Sequence, residues 1–316
     1  MSKKYYFVLI CLLSSTLAVI SNSLQVEAKS VPRAKKLLNE NYGRVRNQGE
    51  LRTYYIYTPK SYNPKHAMSL VLVFHGDRGS GNSIAQVTRF NNLAEAFGFI
   101  AVYPNGLDHQ WSFTGHLRKK IDDISFVAAL IEHIERIRNI NSRKIYATGF
   151  SQGGILTQAL ACKLPNKIAA FASVAGSLTA RFVPSCHPST SVSMMMINGT
   201  KDLNVHYNGD RMSQKEALVS IPETANFWRR HDQCTSSSEF QKLTGTKSSN
   251  RLRVKILRYS GCRNRSEVLQ LAVVNGGHFW PGGASTDTKL NKLNIQLGFD
   301  ASQTIWKFFQ RHSLSK

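Results

Sequence analysis

The chain has 316 residues, 42% of them hydrophobic, and 41 Lys and Arg against 19 Asp and Glu give a formal charge of +22. That length accommodates one α/β domain with a large core and requires no second domain. No repeat or low-complexity linker marks off a binding module, and no C-x-x-C or H-x-x-x-H spacing suggests a metal centre.

Residues 1–28 read as an export signal. Lys3 and Lys4 precede an apolar run from Tyr5 to about Ile20, and Val26-Glu27-Ala28 ends in a small-residue cleavage site. Ser14, Ser15 and Thr16 interrupt the run, which is shorter than the ~20 apolar residues of a spanning helix. Cleavage after Ala28, with no membrane anchor left, is therefore expected, and the destination is extracellular or periplasmic. Residues 29–50 read as an N-terminal arm and 51–316 as the folded domain. Loss of Cys11 with the signal leaves Cys162, Cys186, Cys234 and Cys262, an even number that points to disulfides in an exported chain. Four cysteines permit three connectivities. Neighbour pairing closes loops of modest size, each worth roughly 3–4 kcal/mol in the chain-entropy picture.

Six short apolar runs predict buried parallel strands: Leu70 to Phe74, Phe99 to Tyr103, Lys144 to Thr148, Phe171 to Ala175, Met194 to Ile197, and Leu269 to Val274. Helical patterns lie between them. Ile124, Val127, Leu130, Ile131, Ile134 and Ile137 recur at three-to-four spacing behind Asp122, an N-cap residue type, with Ile121 just ahead. Ile155, Leu156, Ala159, Leu160 and Leu164 do so after Ser151, and a last helix starts at Asp300 with Gln303 as its capping partner. Strand, helix, strand alternation implies a single α/β domain built on a mostly parallel, doubly wound sheet with flanking helices. In such sheets, ligands sit at the carboxyl ends of the strands, so the residues just past each strand matter most.

Three of those strand ends carry chemistry. Thr148-Gly149-Phe150-Ser151-Gln152-Gly153-Gly154 holds a serine on a sharp strand-to-helix turn, the shape that presents a nucleophilic hydroxyl. G-x-S-x-G alone is common by chance, and a flexible Gly/Ser loop would look the same. Asp202 follows the Met194 strand and His278 follows the Leu269 strand, so the chain order is Ser151, Asp202, His278, the order of an α/β-hydrolase triad. A lone Asp is usually a turn former, and a lone His is usually packed. Their joint occurrence, each just past a strand, is what raises the reading above chance. The glycine-rich His75-Gly76-Asp77-Arg78-Gly79-Ser80-Gly81 can aim backbone N–H groups at an oxyanion, so the amides of Gln152 and Asp77 are the expected hole. No cofactor is required. Trp111, Phe279 and Trp280 could form a stacking wall or pack in the core, with packing beside Pro281 the expectation for Trp280 and Trp111 left open, and Asp122 and Asp123 read as cap and turn residues. Asn198-Gly199-Thr200 matches a glycosylation sequon, but a glycan beside Asp202 would obstruct the site.

The pieces HGDRGSG at His75, VYPNG at Val102, IDDISFV at Ile121, GFSQGG at Gly149, INGTKDLNVHY at Ile197 and GGHFWPGG at Gly276 together resemble the polyhydroxybutyrate depolymerase/feruloyl esterase family of secreted α/β-hydrolases. The likeness runs from about Leu51 to the final helix. It implies a secreted serine esterase acting on an ester substrate, either a hydroxyalkanoate oligomer or a polysaccharide-linked ester. Polyhydroxybutyrate depolymerase-type activity is the first expectation, and feruloyl or acetylxylan esterase is the alternative. The resemblance also implies the pairs Cys162–Cys186 and Cys234–Cys262. His206 stands where the family usually has proline, which puts the pocket wall, with His75, Trp111, Phe279 and Trp280 as its other candidates, in question. The competing class is a catalytically idle fold whose basic surface holds an anionic polymer or surface. The basic residues are scattered and no nucleic-acid motif accompanies them, so nucleic acid is not an expected partner.

Overall fold

In the computed structural model, which describes residues 41–112, 122–209, 217–243, 253–285 and 298–315, the first described elements form a hairpin. Strands β1 (Tyr42–Asn47) and β2 (Glu50–Tyr57) are joined by Gln48 and Gly49, both at positive φ, as a two-residue hairpin turn requires. Among the described residues the first strand of the sheet starts at Tyr42, within the stretch 29–50 read as an N-terminal arm. The expected signal and its cleavage site lie outside the described residues.

Then come β3 (Met68–Phe74), α1 (Gly81–Thr88), α2 (Phe90–Phe97), β4 (Phe99–Pro104), α3 (Asp123–Ile137), β5 (Ile140–Phe150), α4 (Gln152–Lys163), β6 (Ala170–Val174) and β7 (Met194–Gly199). The chain ends with α5 (Ile221–His231), β8 (Ser236–Leu243), β9 (Arg253–Ser260), β10 (Val268–Val273) and α6 (Ala301–Phe309). Among the described residues the strands form one ten-stranded sheet, ordered β1-β2-β4-β3-β5-β6-β7-β10-β9-β8. Its centre, from β4 to β10, is parallel and coincides with the six apolar runs. Antiparallel ribbons, β1–β2 at one edge and β9–β8 at the other, extend it.

Every residue of β4, β6, β7 and β10 is buried, because helices cover both faces. Along β3, Leu70, Leu72 and Phe74 share a core with Phe126 and Leu130 of α3, Leu156 and Leu160 of α4, and Trp228 of α5. Val71 and Val73 face the other way, into a core with Ile84 of α1, Phe90 of α2, and Ile305 and Phe308 of α6. The caps follow the sequence: Asp122 accepts from Ile124 N at 3.0 Å, and Asp300 accepts from Gln303 N at 2.9 Å. Disulfides join Cys162 to Cys186 and Cys234 to Cys262.

One buried ion pair links the edge ribbon to α3. Arg52 of β2 meets Asp123, and the two side chains are 2% and 1% exposed. Burial raises the Asp123 carboxyl above its ordinary range even though Arg52 and the Ser112 amide pull it down. The pair therefore adds little net stability, while breaking it strands a charge. Arg52→Leu is expected to lower stability by roughly 3–5 kcal/mol, and Arg52→Leu/Asp123→Leu to recover part of that loss. Urea unfolding midpoints decide it: a double variant no more stable than the single one contradicts the desolvation account.

Candidate active site

β5 runs into α4 with one residue between them, Ser151. Its backbone sits at φ 55°, ψ −120°, a region that non-glycine residues rarely adopt and that costs of order 1–3 kcal/mol. Neighbours hold it there: Ser151 N donates to Val174 O at 2.9 Å, and Ile155 N donates to Ser151 O at 3.0 Å. The adjoining glycines are a matter of space. A Cβ on Gly149 would strike the Gly153 carbonyl, and one on Gly153 would strike the carbonyls of Phe74 and His75. The turn is tight because α4 begins directly over the ends of β3 and β5.

The next two components come from adjacent parallel strands. The loops after β7 and β10 are clipped together, with Asn275 N donating to Thr200 Oγ1 at 2.8 Å and Lys201 N to Gly276 O at 2.8 Å. Asp202 on the first loop is 3% exposed and His278 on the second lies beside it. His278 Nδ1–H donates to Asp202 Oδ2 at 2.8 Å, and Ser151 Oγ–H donates to His278 Nε2 at 2.9 Å. Burial pushes the Asp202 carboxyl up. The hydrogen bonds from His278, Val205 N and Asn204 N outweigh it and hold the group below its ordinary value, as an anion. The ring of Phe150 lies 4.9 Å from that of His278. Nothing in the residue pattern distinguished Phe150 from an ordinary elbow residue, and only the fold shows the contact.

Gly76 passes against the serine, since a Cβ there would meet Ser151 Cβ at 3.2 Å. Among the described residues, neither the Asp77 amide nor the Gln152 amide has a hydrogen-bond partner, which leaves both free to donate. Such a chain of hydroxyl, imidazole and carboxylate, next to two unpaired amides, can shuttle one proton and stabilise one oxyanion.

Of the candidate wall residues, His75, Trp111, Phe279 and Trp280 are 1%, 1%, 6% and 2% exposed and pack inward, which for Trp280 is the packing role expected of it. Trp280 packs on Phe90 and donates its indole N–H to Ser302 Oγ at 3.0 Å, which anchors the His278 loop. His206 alone of the five stands exposed, on the Asp202 loop. Asp122 and Asp123 are the cap and the buried ion-pair partner of Arg52, and Asn198 is buried with its side-chain amide on Gly176 O at 3.1 Å. No cluster of His, Cys, Asp and Glu suited to a metal occurs among the described residues.

Residues 52–208 match the family described as Esterase PHB depolymerase. The fold and these residues settle the assignment. The chain belongs to the polyhydroxybutyrate depolymerase/feruloyl esterase family of carboxylic ester hydrolases. It is 31% identical over 170 residues to a bifunctional acetylxylan esterase/xylanase of Neocallimastix patriciarum, covering 51% of this chain and 23% of that protein. It is 25% identical over 230 residues to feruloyl esterase B of Piromyces equi, covering 70% of this chain and 41% of that protein. This chain therefore spans less than half the length of either. The acetyl xylan esterase of Aspergillus awamori has the same α/β-hydrolase fold, with a TM-score of 0.55, 14% identity, and coverage of 80% of this chain and 98% of that one.

His75 gives the loop a titratable joint. Gly106 N donates to its Nε2 at 2.9 Å, so Nδ1 carries the proton and donates to Gly76 O at 2.7 Å. Burial lowers its pKa to about 4, outweighing the Gly76 carbonyl, which favours the protonated form; nearby His109, Asp77 and Arg52 matter less. The folded protein thus binds fewer protons than the unfolded chain between about pH 4 and 6.5. Stability from this group is complete above about 6.5 and lost as pH falls towards 4, by roughly 3 kcal/mol. His75→Gln is expected to flatten the rise of unfolding free energy across that window, as read by urea titrations at several pH values. Parallel curves for the two proteins contradict the neutral assignment.

Proposed function

We propose that the protein is a serine esterase that splits carboxylic esters through an acyl-enzyme. The observation that carries this reading is the unbroken chain from Ser151 Oγ through His278 to Asp202. In the proposed reaction, Ser151 Oγ bonds to the acyl carbon as its proton passes to His278 Nε2. The carbonyl oxygen takes up the displaced electron pair as an oxyanion, held by the amides of Gln152 and Asp77. Collapse breaks the bond to the leaving oxygen, which takes the proton from His278. Water then gives its proton to His278 and attacks the acyl carbon. Ser151 Oγ departs and is reprotonated, which completes the hydrolysis. Asp202 fixes the imidazole tautomer and stabilises the imidazolium without taking the proton.

Two acyl classes are supported. The family description points to 3-hydroxyalkanoate oligomers, and the relatives' names point to acetyl or feruloyl groups on plant polysaccharide. Export through the signal over residues 1–28 belongs to the same reading, and two disulfides accord with an oxidising destination. A fold kept only to hold an anionic polymer would bind such a polymer and turn over no ester. Ser151→Ala is expected to lower p-nitrophenyl ester hydrolysis at least about 10³-fold while leaving the melting temperature within a few degrees. Undiminished turnover by the folded variant would sink the proposal. Parallel rates on 3-hydroxybutyrate oligomers, methyl ferulate and acetylated xylan rank the substrate classes.

A further inference from the structure

The two proposed oxyanion amides come from segments remote in sequence, the turn after β3 and the first residue of α4. Their spacing needs a cause, since each hydrogen bond to an oxyanion is sensitive to tenths of an ångström. The segment Asn105–Ser112, which follows β4, touches both. Its own shape is fixed by a tight turn. His109 N donates to Gly106 O and Gln110 N to Leu107 O, with Asp108 and His109 both at positive φ.

Trp111 joins that segment to both halves of the hole. Its backbone N–H donates to Gln152 Oε1 at 2.9 Å, and its indole N–H donates to His75 O at 2.8 Å. The ring lies 4.7 Å from His75 and edge-on to Phe74 at 5.5 Å. Further bonds tie the same loop to the Asp77 turn: Arg78 N to His109 O at 3.0 Å, and Gln110 Nε2 to Asp77 Oδ1 at 3.0 Å. The segment is also held at both ends by one pair of charges. Arg52 Nη2 donates to Asn105 O at 3.2 Å, and Ser112 N donates to Asp123 Oδ2.

We propose that Trp111 is the positioning residue that sets the spacing of the oxyanion amides, bridging the Gln152 side chain through its backbone and the His75 carbonyl through its indole. The inference rests on the serine-esterase reading. The bridge acts in series: with either leg gone, the two halves are no longer tied through this residue. It touches no part of the substrate, so its loss shows in the rate of the chemical step and in the binding of oxyanionic ligands, with ground-state binding little changed.

The test compares Trp111→Phe, which keeps a ring but removes the indole N–H, with Gln152→Met, which removes the acceptor and keeps the length, and with the double variant. Each single change is expected to lower kcat on a p-nitrophenyl ester about 10- to 100-fold with KM within about twofold. Affinity for a trifluoromethyl ketone, whose serine adduct carries an oxyanion, should fall by the same factor. The double variant should be no slower than the slower single one, because both changes cut one bridge. Unchanged kcat, a loss confined to KM, or multiplicative losses in the double variant would each overturn the proposal. If Trp111→Phe does not fold, Gln152→Met decides alone: unchanged kcat or ketone affinity overturns it. Ser151→Ala, measured alongside, separates the two readings, since an active Ser151→Ala removes the esterase mechanism itself.

Discussion

The site depends on a backbone conformation that the chain does not adopt willingly. Ser151 has a Cβ and yet sits at φ 55°, and it stays there because β5, β6 and α4 over-determine its position. The Val174 carbonyl takes its N–H from one side and the first turn of α4 takes its carbonyl from the other. The helix can approach only because Gly149 and Gly153 have no side chains. A well-packed parallel sheet makes the strain affordable: its buried strands resist the relaxation that would let Ser151 sink back into an ordinary turn.

The other parts are placed by strand adjacency. β7 and β10 are neighbours although about seventy residues separate them, so their loops emerge side by side and are stitched by Thr200 and Lys201. The imidazole then needs no adjustment to span carboxylate and hydroxyl. The Arg52–Asp123 pair does a similar job at the far side of the serine. Two charges taken out of water are a poor source of stability, and the raised Asp123 carboxyl shows burial outweighing its partner. What the pair supplies is direction: Arg52 reaches the Asn105 carbonyl and Asp123 the Ser112 amide, so both ends of one loop are set by one contact.

The sheet's centre was legible in the sequence because its strands are buried on both faces and read as unbroken apolar runs. The edges were not. β2 alternates exposed and buried residues, β9 mixes Arg253, Lys255 and Arg258 with Val254, and β8 opens on three serines, so none stands out from loop composition. That Ser151, Asp202 and His278 come together was legible because each lies in the loop or turn that follows an apolar strand. Whether His75, Trp111 and Phe279 wall a pocket or pack inward was not legible, for one shared reason. An aromatic or imidazole ring in a glycine-rich loop looks like a wall of a pocket, and only tertiary packing shows that the rings turn inward and serve as joints.

Asn198 carries a consequence for how the protein can be made. Its side chain is consumed inside the sheet, on the Gly176 carbonyl, and β7 is enclosed by β6 and β10. A glycosylating secretory pathway reads Asn-Gly-Thr on the nascent chain, before that strand has closed between its neighbours. A sugar attached at that moment has no room in the finished sheet. Production in such a host would split the material into an unmodified fraction that folds and a modified fraction that cannot complete its core.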